Sequence, residues 1–471
     1  MNYSQFLQMV PEATLVVILI ILFFADFAYS KSEKKHPVLR CLAHTLLLLQ
    51  LVPCVLAAPA EVFGGLYVST AAANAMKLIL TGGTLVVAIM AQTWIEHNEV
   101  TRRYEGEFYM LLVSTLLGMY VMTSSGHFMM FFLGLEMASV PMACLVAMDK
   151  WKKDSAEAGA KYILTATFSS AIMLYGISFI YGACGTLYFN DVAQALTVTP
   201  LTVAGLGFKL SLVPFHFWTA DTYQGAPTTV TAYLSVVSKG AAAFALCTIL
   251  MKVFAPMTEQ LEIMLDVVIV LSITIANLFA MRQTELKRFM AFSSISQAGY
   301  IMLAVIGNSS MGLASLMFYT LVYVAANLAV FAVISVVEQN NGGTTERSSL
   351  AGFYETNPRL SFLMTLALFS LAGIPPFAGM FSKFFVFMAT AQQGSFWAYF
   401  VVFVALVNTV PSLYYYLLIV KEMYIKKTTT PLPNFLSDFA TKLALAICTV
   451  GIVLFGVWSA IYGWLSAVAA A

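Results

Sequence analysis

The sequence predicts an all-α polytopic membrane protein with about 14 transmembrane helices. Of its 471 residues, 60% are hydrophobic and 10% charged, with a mean hydropathy of +0.84. A soluble domain carries about 25% charged residues, so this chain has too little polar surface to face water. The apolar stretches are continuous over about 20 residues, the length that crosses a bilayer as a helix, and lack the two-residue alternation of a membrane barrel. Only helices and closed barrels satisfy the backbone in lipid, which leaves helices.

Spans are expected at 11–29, 38–57, 75–95, 107–122, 127–148, 158–181, 194–217, 228–251, 261–281, 289–306, 311–338, 360–391, 396–422 and 439–468. The first apolar run is long enough to stay as an anchor, with no cleavable signal evident. No soluble domain interrupts the series. The longest polar stretches, 30–37, 339–358 and 426–437, read as surface loops. The chain then divides into 1–106 (spans 1–3), 107–251 (spans 4–8), 252–425 (spans 9–13) and 426–471 (span 14).

Charge placement tests the series. Nineteen of the 24 basic residues fall in the loops after spans 1, 3, 5, 9, 11 and 13, among them Lys34, Arg102, Lys152, Arg288, Arg347 and Lys426. By the positive-inside rule those loops face the cytoplasm and both termini face outward. The loop after span 7, TADTYQGAP at 219–227, breaks the pattern: it faces inward without a lysine or arginine. Something other than lipid headgroups is expected to border it. Lys77 and Lys252 lie near span ends and are expected to snorkel. Lys209, Lys239 and Lys383 are deep.

The net charge of +1 gives no reason to invoke nucleic acid, and six cysteines without CxxC spacing give no disulfide framework, Fe–S site or zinc site. No GxGxxG fingerprint precedes a helix and no Walker A motif is present, so the chain itself is not expected to oxidise a nicotinamide or hydrolyse ATP.

The deep ionisable residues are where chemistry is expected. A charge at the bilayer centre costs roughly 2.5–3.5 kcal/mol or more and is retained by default for function. Glu136 sits in FFLGLEMASVP at the middle of span 5, and Lys209 is its natural partner. A nearby carboxylate favours the ammonium form while desolvation opposes it, so moving Glu136 can hold or release the lysine proton. His216 follows seven residues after Lys209, on a similar face, with a side chain suited to proton relay. Pro214 between them should break the helix. Lys239 sits in SVVSKGAAAF at the centre of span 8. Lys383 follows LAGIPPFAGMFSKFF, where Pro375 and Pro376 interrupt span 12. Interrupted helices at midplane line transport sites, and breaks in spans 7 and 12 suggest two inverted five-helix repeats, spans 4–8 and 9–13. His36, His44 and His127 read as interfacial. Asp26 and Asp221 read as mouth residues or caps.

GEFYMLLVSTLLGMYVMTSSGHFMMFFLGLEMASVP, FKLSLVPFHFWTADTYQGAPTTVTAYLSVVSKG, LKRFMAFSSISQAGYIML and LAGIPPFAGMFSKFF resemble the antiporter-like membrane subunits of respiratory complex I, the bacterial NADH–quinone oxidoreductase. The likeness is strong from about 105 to 425. It is nearest to the N-type group, because L-like chains end in a lateral helix and M-like chains carry glutamate where this one has Lys383. The resemblance implies a proton-transfer axis of Glu136, Lys209, Lys239 and Lys383, with His216 as an intermediate. It implies no cofactor and no metal in this chain, and Fe–S clusters, possibly FMN, and a quinone in other subunits. It implies as partners the antiporter-like subunits M and L, the small subunits A, J, K and H and a peripheral redox arm, in the inner membrane of a bacterium. Subunits of multi-subunit cation/proton antiporters and of membrane-bound hydrogenases share the core and stand as alternatives. A purely structural subunit is a third reading, which leaves four costly central charges unexplained.

Overall fold

A continuous apolar run in lipid keeps its backbone hydrogen bonds inside one helix, and the chain is built accordingly. The computed structural model describes residues 3–29, 35–195, 209–307, 309–428, 431–435 and 437–471. Among these, twelve helices are long and apolar enough to cross a membrane. They include α1 (Val10–Ala28), α2 (His36–Leu56), α3 (Ala71–His97), α4 (Glu105–Thr123), α5 (Phe128–Val146) and α6 (Lys153–Cys184). The short α7 (Phe217–Gly225) precedes α8 (Thr228–Lys252). Then come α9 (Thr258–Ala280), α10 (Leu286–Ile306) and α11 (Ser310–Asn340). Two shorter apolar helices, α12 (Pro358–Ala372) and α13 (Ala378–Ala391), are followed by α14 (Phe396–Tyr424), α15 (Phe439–Val457) and the short α16 (Ala460–Ala470).

Spans 1–6, 8–11 and 13 thus lie within a few residues of their expected places. Most of span 7 falls on 196–208, outside the described residues. Span 12 is two half-helices: α12 stops at Ala372, and the chain passes Gly373 and the cis Pro375–Pro376 bond before α13 begins. Span 14 also differs from expectation. It ends at Val457, where Trp458 leaves helical geometry (φ −97°, ψ 92°), and α16 follows as a separate segment packed on α11.

The core sits at α8, α10 and α11, whose spanning windows are 89%, 100% and 94% buried inside the chain, against 28% for α1 and α14. Central helices with no lipid-facing side can hold polar side chains where the peripheral ones cannot. The α4–α5 crossing is close enough to require glycine: a Cβ on Gly118 would come 2.3 Å from the Ala138 backbone nitrogen, and one on Gly134 2.5 Å from that of Met122. Small residues let membrane helices approach backbone to backbone, and this approach fixes the face of α5 that carries Glu136 and Ser139.

A β-hairpin that the sequence did not announce, β1 (Ala60–Val62) with β2 (Tyr67–Ser69), links α2 to α3. Its backbone bonds extend to neighbouring loops, Val68 N–H to Ser124 O and Gly126 N–H to Leu66 O, both 2.9 Å. Beneath it lies the clearest departure from expectation. Lys77 does not snorkel: it is fully buried and pairs with Glu12 of α1 at 2.7 Å. Tyr67, Ser69 and Asn74 share its two remaining protons, so the ammonium has no need of a headgroup. The histidines also settle differently. His127 caps α5, accepting from Met129 N–H. His36 instead bonds Glu105 at 2.8 Å, and His44 is half-buried within α2.

Candidate functional site

Lys209, Lys239 and Lys383 are 4%, 1% and 5% exposed, which in an apolar bundle demands partners for each ammonium. Lys209 donates to Ser139 Oγ of α5 at 2.8 Å. Glu136 is one turn earlier on the same helix, yet no ion pair within 4 Å joins it to Lys209, and its Oε1 is buried without a hydrogen bond among the described residues. Ser139, a turn on, takes the lysine's hydrogen bond, and the Glu136 carboxylate stays close enough to act on its charge. The Tyr162 hydroxyl of α6 lies beside Ser139 and the Glu136 carboxyl. A narrow crevice adjoins Lys209, lined by Ser139, Ser169 and Ser170.

Lys239 follows a π-helical turn, Leu234–Ser238, within α8. Such turns re-aim side chains and recur at functional sites. Its Nζ donates to Ser294 Oγ of α10 at 2.7 Å and lies 5.6 Å from the Tyr223 ring of α7. Tyr223 Oη also reaches Ser294 Oγ, at 3.3 Å. Farther along α10, Gln297 donates to Tyr416 Oη at 3.1 Å and to Leu371 O at 3.2 Å, and accepts from Tyr319. Ser238 Oγ, Ser296 Oγ, Tyr323 Oη and both amide atoms of Asn327 are buried without a protein partner among the described residues. Buried polar groups are rarely left so, and groups of this kind are the ones that ordered water commonly satisfies in proteins.

Lys383 sits at the break between α12 and α13. Its Nζ donates 2.9 Å to Ala372 O, the last residue of α12, and lies 4.9 Å from the Tyr300 ring of α10. A helix end leaves carbonyls unsatisfied and carries partial negative charge, so the break itself builds the cation site. A narrow crevice lies here between Gln297, Tyr319, Tyr323, Ser382 and Lys383. The α10 residues thus join the surroundings of Lys239 to those of Lys383.

His216 is not brought into this line. It precedes α7, stacks on Phe217, which is 77% exposed, and its buried Nδ1 has no hydrogen-bond partner among the described residues. Aromatic contacts offer a different bridge between the first two lysines: Tyr162 packs on Trp218 at 5.2 Å and Trp218 on Tyr223 at 6.5 Å.

The lysine-free stretch at 219–227 is mostly helical, as α7, because no proline or glycine interrupts it between Pro214 and Gly225. Asp221 binds Lys161 and Arg288, both at 2.7 Å. Burial pushes its carboxyl up, but the hydrogen bonds from the two cations outweigh this and hold it below the usual carboxylate range. Gln224 to Pro227 line an open cavity of about 720 Å³ with Asp149, Lys152, Glu285, Lys287 and Glu338. At its floor Lys287 bonds Glu338 and Ala226 O, both at 3.1 Å, and Thr228 bonds Glu338. The stretch thus borders a cavity whose lining includes the charged side chains of Asp149, Lys152, Lys287 and Glu338.

A family model described as NADH:quinone oxidoreductase/Mrp antiporter, transmembrane, matches residues 125–409. The chain is 57% identical to NADH-quinone oxidoreductase subunit N of Phocaeicola vulgatus, with 99% of each chain covered. It belongs to the NADH:quinone oxidoreductase/Mrp antiporter membrane-subunit family. Within that family it groups with subunit N: the subunit N of Azobacteroides pseudotrichonymphae is 47% identical, covering 99% of this chain and 98% of the other. A chain of respiratory complex I from Thermus thermophilus with bound Aureothin superposes with a TM-score of 0.79 at 29% identity, covering 96% and 97% of the two chains. A chain of the Mrp complex from a Dietzia species shares the fold, with a TM-score of 0.85 at 22% identity over 98% and 97%.

Several contacts of this family member were not singled out from its sequence: Ser139, Tyr162, Tyr223, Ser294, Gln297, Tyr319 and the Lys77–Glu12 pair. The run FSSISQ in an otherwise apolar span was the available signal for Ser294 and Gln297.

Proposed function

We propose that this N-type subunit moves protons across the membrane within the membrane arm of a proton-translocating NADH–quinone oxidoreductase, through Glu136, Lys209, Lys239 and Lys383. The observation that carries this is the set of three buried ammonium groups, each held by a single hydroxyl or carbonyl rather than by an ion pair. A lysine locked to a carboxylate keeps its proton, whereas one held by a neutral acceptor gives it up when that acceptor or its water moves. The unpartnered hydroxyls and amide beside Lys239 support water as the intervening carrier. His216 stands to the side, and Tyr162 and Tyr223 are better placed between the first two lysines.

In this reading electrons do not pass through the chain. The Fe–S clusters, any flavin and the quinone belong to other subunits, and quinone reduction there reaches this one as a displacement of Glu136. Glu136 suits that role: its neighbours Leu133, Met137 and Val140 are exposed on the outer face of α5, where an adjoining subunit can sit. The residues 107–251 and 252–425 act as two repeats. The chain resides in the inner membrane with both termini outside, beside subunits of the M and L type, the small subunits and the peripheral arm. Moving one charge against 100 mV costs about 2.3 kcal/mol, a load that a modest change in the surroundings of one lysine can meet.

The test is donor-driven quinone reduction and proton pumping by the intact complex in sealed vesicles, with Lys209→Ala and Glu136→Ala beside wild type and assembly checked by native gel. Loss of pumping in assembled complex is expected. Normal proton yield in both variants would remove the axis, and pumping that persists only with sodium would move the chain to the antiporter reading.

A further inference from the structure

The open cavity beside α7 ends close to Lys239, and two elements join them. The first is α10. Lys287 lies in its first turn, and Ser294 follows seven residues later, two turns on and on the same face. Contacts fix where that face looks at both levels. Lys287 Nζ donates to Ala226 O, between α7 and α8, at 3.1 Å, and Ser294 Oγ accepts from Lys239 Nζ of α8 at 2.7 Å. The two levels are thus about 10 Å apart along the helix. The second element is α7. Gln224 and Gly225 line the cavity. Tyr223, the residue before them, is fully buried, and its Oη reaches Ser294 Oγ at 3.3 Å. One tyrosine side chain therefore spans from the wall of the cavity to the acceptor of Lys239.

The floor of the cavity carries a carboxylate that faces both ways. Glu338 of α11 accepts from Lys287 on Oε1 at 3.1 Å and from Thr228 of α8 on Oε2. Its side chain is 20% exposed, while that of Lys287 is 6% exposed. Carboxylates outnumber lysines in the cavity lining, which raises the local concentration of cations, hydronium among them. Asn327 lies three turns before Glu338 on the same face of α11. It is fully buried, and both its amide atoms lack a protein partner among the described residues. Groups left so are the ones that ordered water commonly satisfies. A plain clamp between α8, α10 and α11 would need neither an acid open to the cavity nor an orphaned amide behind it.

We propose that this cavity is the aqueous port from which Lys239 takes its protons, with Glu338, held by Lys287 and Thr228, as a further proton-transfer residue. A proton passes from cavity water to the Glu338 carboxylate. It leaves by way of water beside Tyr223 and Ser294 for the neutral amine of Lys239, and the carboxylate is restored for the next. This rests on Lys239 carrying a proton, as proposed above.

The intact complex in sealed vesicles, with the cavity face outward, tests it. Pumping and quinone reduction are measured for Glu338→Gln and Glu338→Asp, with assembly checked by native gel. Glutamine keeps the shape and has no proton to exchange, so pumping is expected to fall about tenfold or more, and aspartate is expected to pump several-fold faster than glutamine. Thr344→Cys leaves the pair intact and puts a thiol on the cavity wall. A cationic methanethiosulfonate added outside is expected to label it, as read by intact mass, and to slow pumping several-fold relative to equally treated wild type. Wild-type proton yield in assembled Glu338→Gln overturns the proposal. So does a thiol that the reagent does not reach, or a labelled Thr344→Cys that pumps at full rate. If Glu338→Gln does not assemble, labelled Thr344→Cys decides alone. Lys239→Ala, run alongside, separates the two readings. Normal pumping there removes the role of Lys239 and this proposal with it. Lost pumping there, with Glu338→Gln and labelled Thr344→Cys both unaffected, removes this proposal alone.

Discussion

Lys383 Nζ donates to Ala372 O at 2.9 Å across the break between α12 and α13. The prolines that end α12 also expose the carbonyl that receives the lysine. Sequence break and buried charge are two halves of one device: the helix C-terminus supplies partial negative charge, and no carboxylate is needed. Lys383→Met should leave the carbonyl and the crevice in place but remove the exchangeable proton. Pumping by the assembled complex is expected to fall by at least tenfold, and wild-type proton yield in that variant would show that Lys383 is only a packing residue.

Gly373 is the hinge of this device. Its φ is +87°, and an added Cβ would come 3.1 Å from Lys383 Cδ. Gly373→Val meets both a left-handed backbone, which costs a non-glycine residue about 1–3 kcal/mol, and the lysine stem. We expect an assembled complex with a lowered Tm and several-fold slower pumping, while Gly342→Ala, another positive-φ glycine with open space around it, should leave pumping unchanged. Equal losses in the two would point to backbone strain alone.

Ser294 accepts from Lys239 at 2.7 Å and meets Tyr223 Oη at 3.3 Å. Hydrogen bonds to charged groups are worth about 1.5–3 kcal/mol, and Ser294→Ala leaves a buried ammonium without its acceptor. Pumping is expected to fall about tenfold or more, with Ser294→Thr retaining most of it. If alanine and threonine behave alike, the hydroxyl has no part in proton transfer.

The three deep lysines, Glu136 and the two proline breaks could be read from the sequence because a charge or a proline inside an apolar run has few explanations. Ser139, Ser294 and Tyr223 could not, since a hydroxyl in a membrane helix is common and its partner is fixed only when helices distant in sequence pack. Lys77 was misread for a related reason. Six residues into a helix looks like snorkelling distance, and only the fold brings Glu12 of α1 to it. The expected Glu136–Lys209 partnership takes the form of a charge interaction rather than a hydrogen bond, because Ser139 on the same face of α5 lies nearer the lysine. His216 shared a helical face with Lys209 only if the helix ran on through Pro214, which it does not.

Ser139 gives that last point a test. Its hydroxyl accepts from Lys209 and itself donates to Leu135 O at 2.7 Å. Ser139→Ala frees the lysine to move toward Glu136, one turn away. A direct pair would hold the proton more tightly, so pumping is expected to slow at neutral pH and to recover at higher pH, whereas Glu136→Gln should not recover. Matching profiles for the two variants would contradict a relay through Ser139.

Asp221 makes stability depend on pH at the mouth of α7. Lys161 and Arg288 hold its carboxyl below the usual carboxylate range, against the opposing effect of burial. Its ordinary value is about 3.9. A carboxyl whose pKa is depressed on folding adds stability that is fully present above that value and is lost as pH falls through the lower, folded one. Asp221→Asn should therefore lower the Tm of the solubilised complex at neutral pH, and the gap to wild type should close on acidification below about pH 4. Asp221 is 37% exposed on its side chain and Lys161 42%, so solvent and salt screen the cluster and the gap should be small and shrink further at high ionic strength. Thermal melts of both proteins across pH and salt would measure this, and a gap that widens toward acid would mean that Asp221 is stabilised in its protonated form.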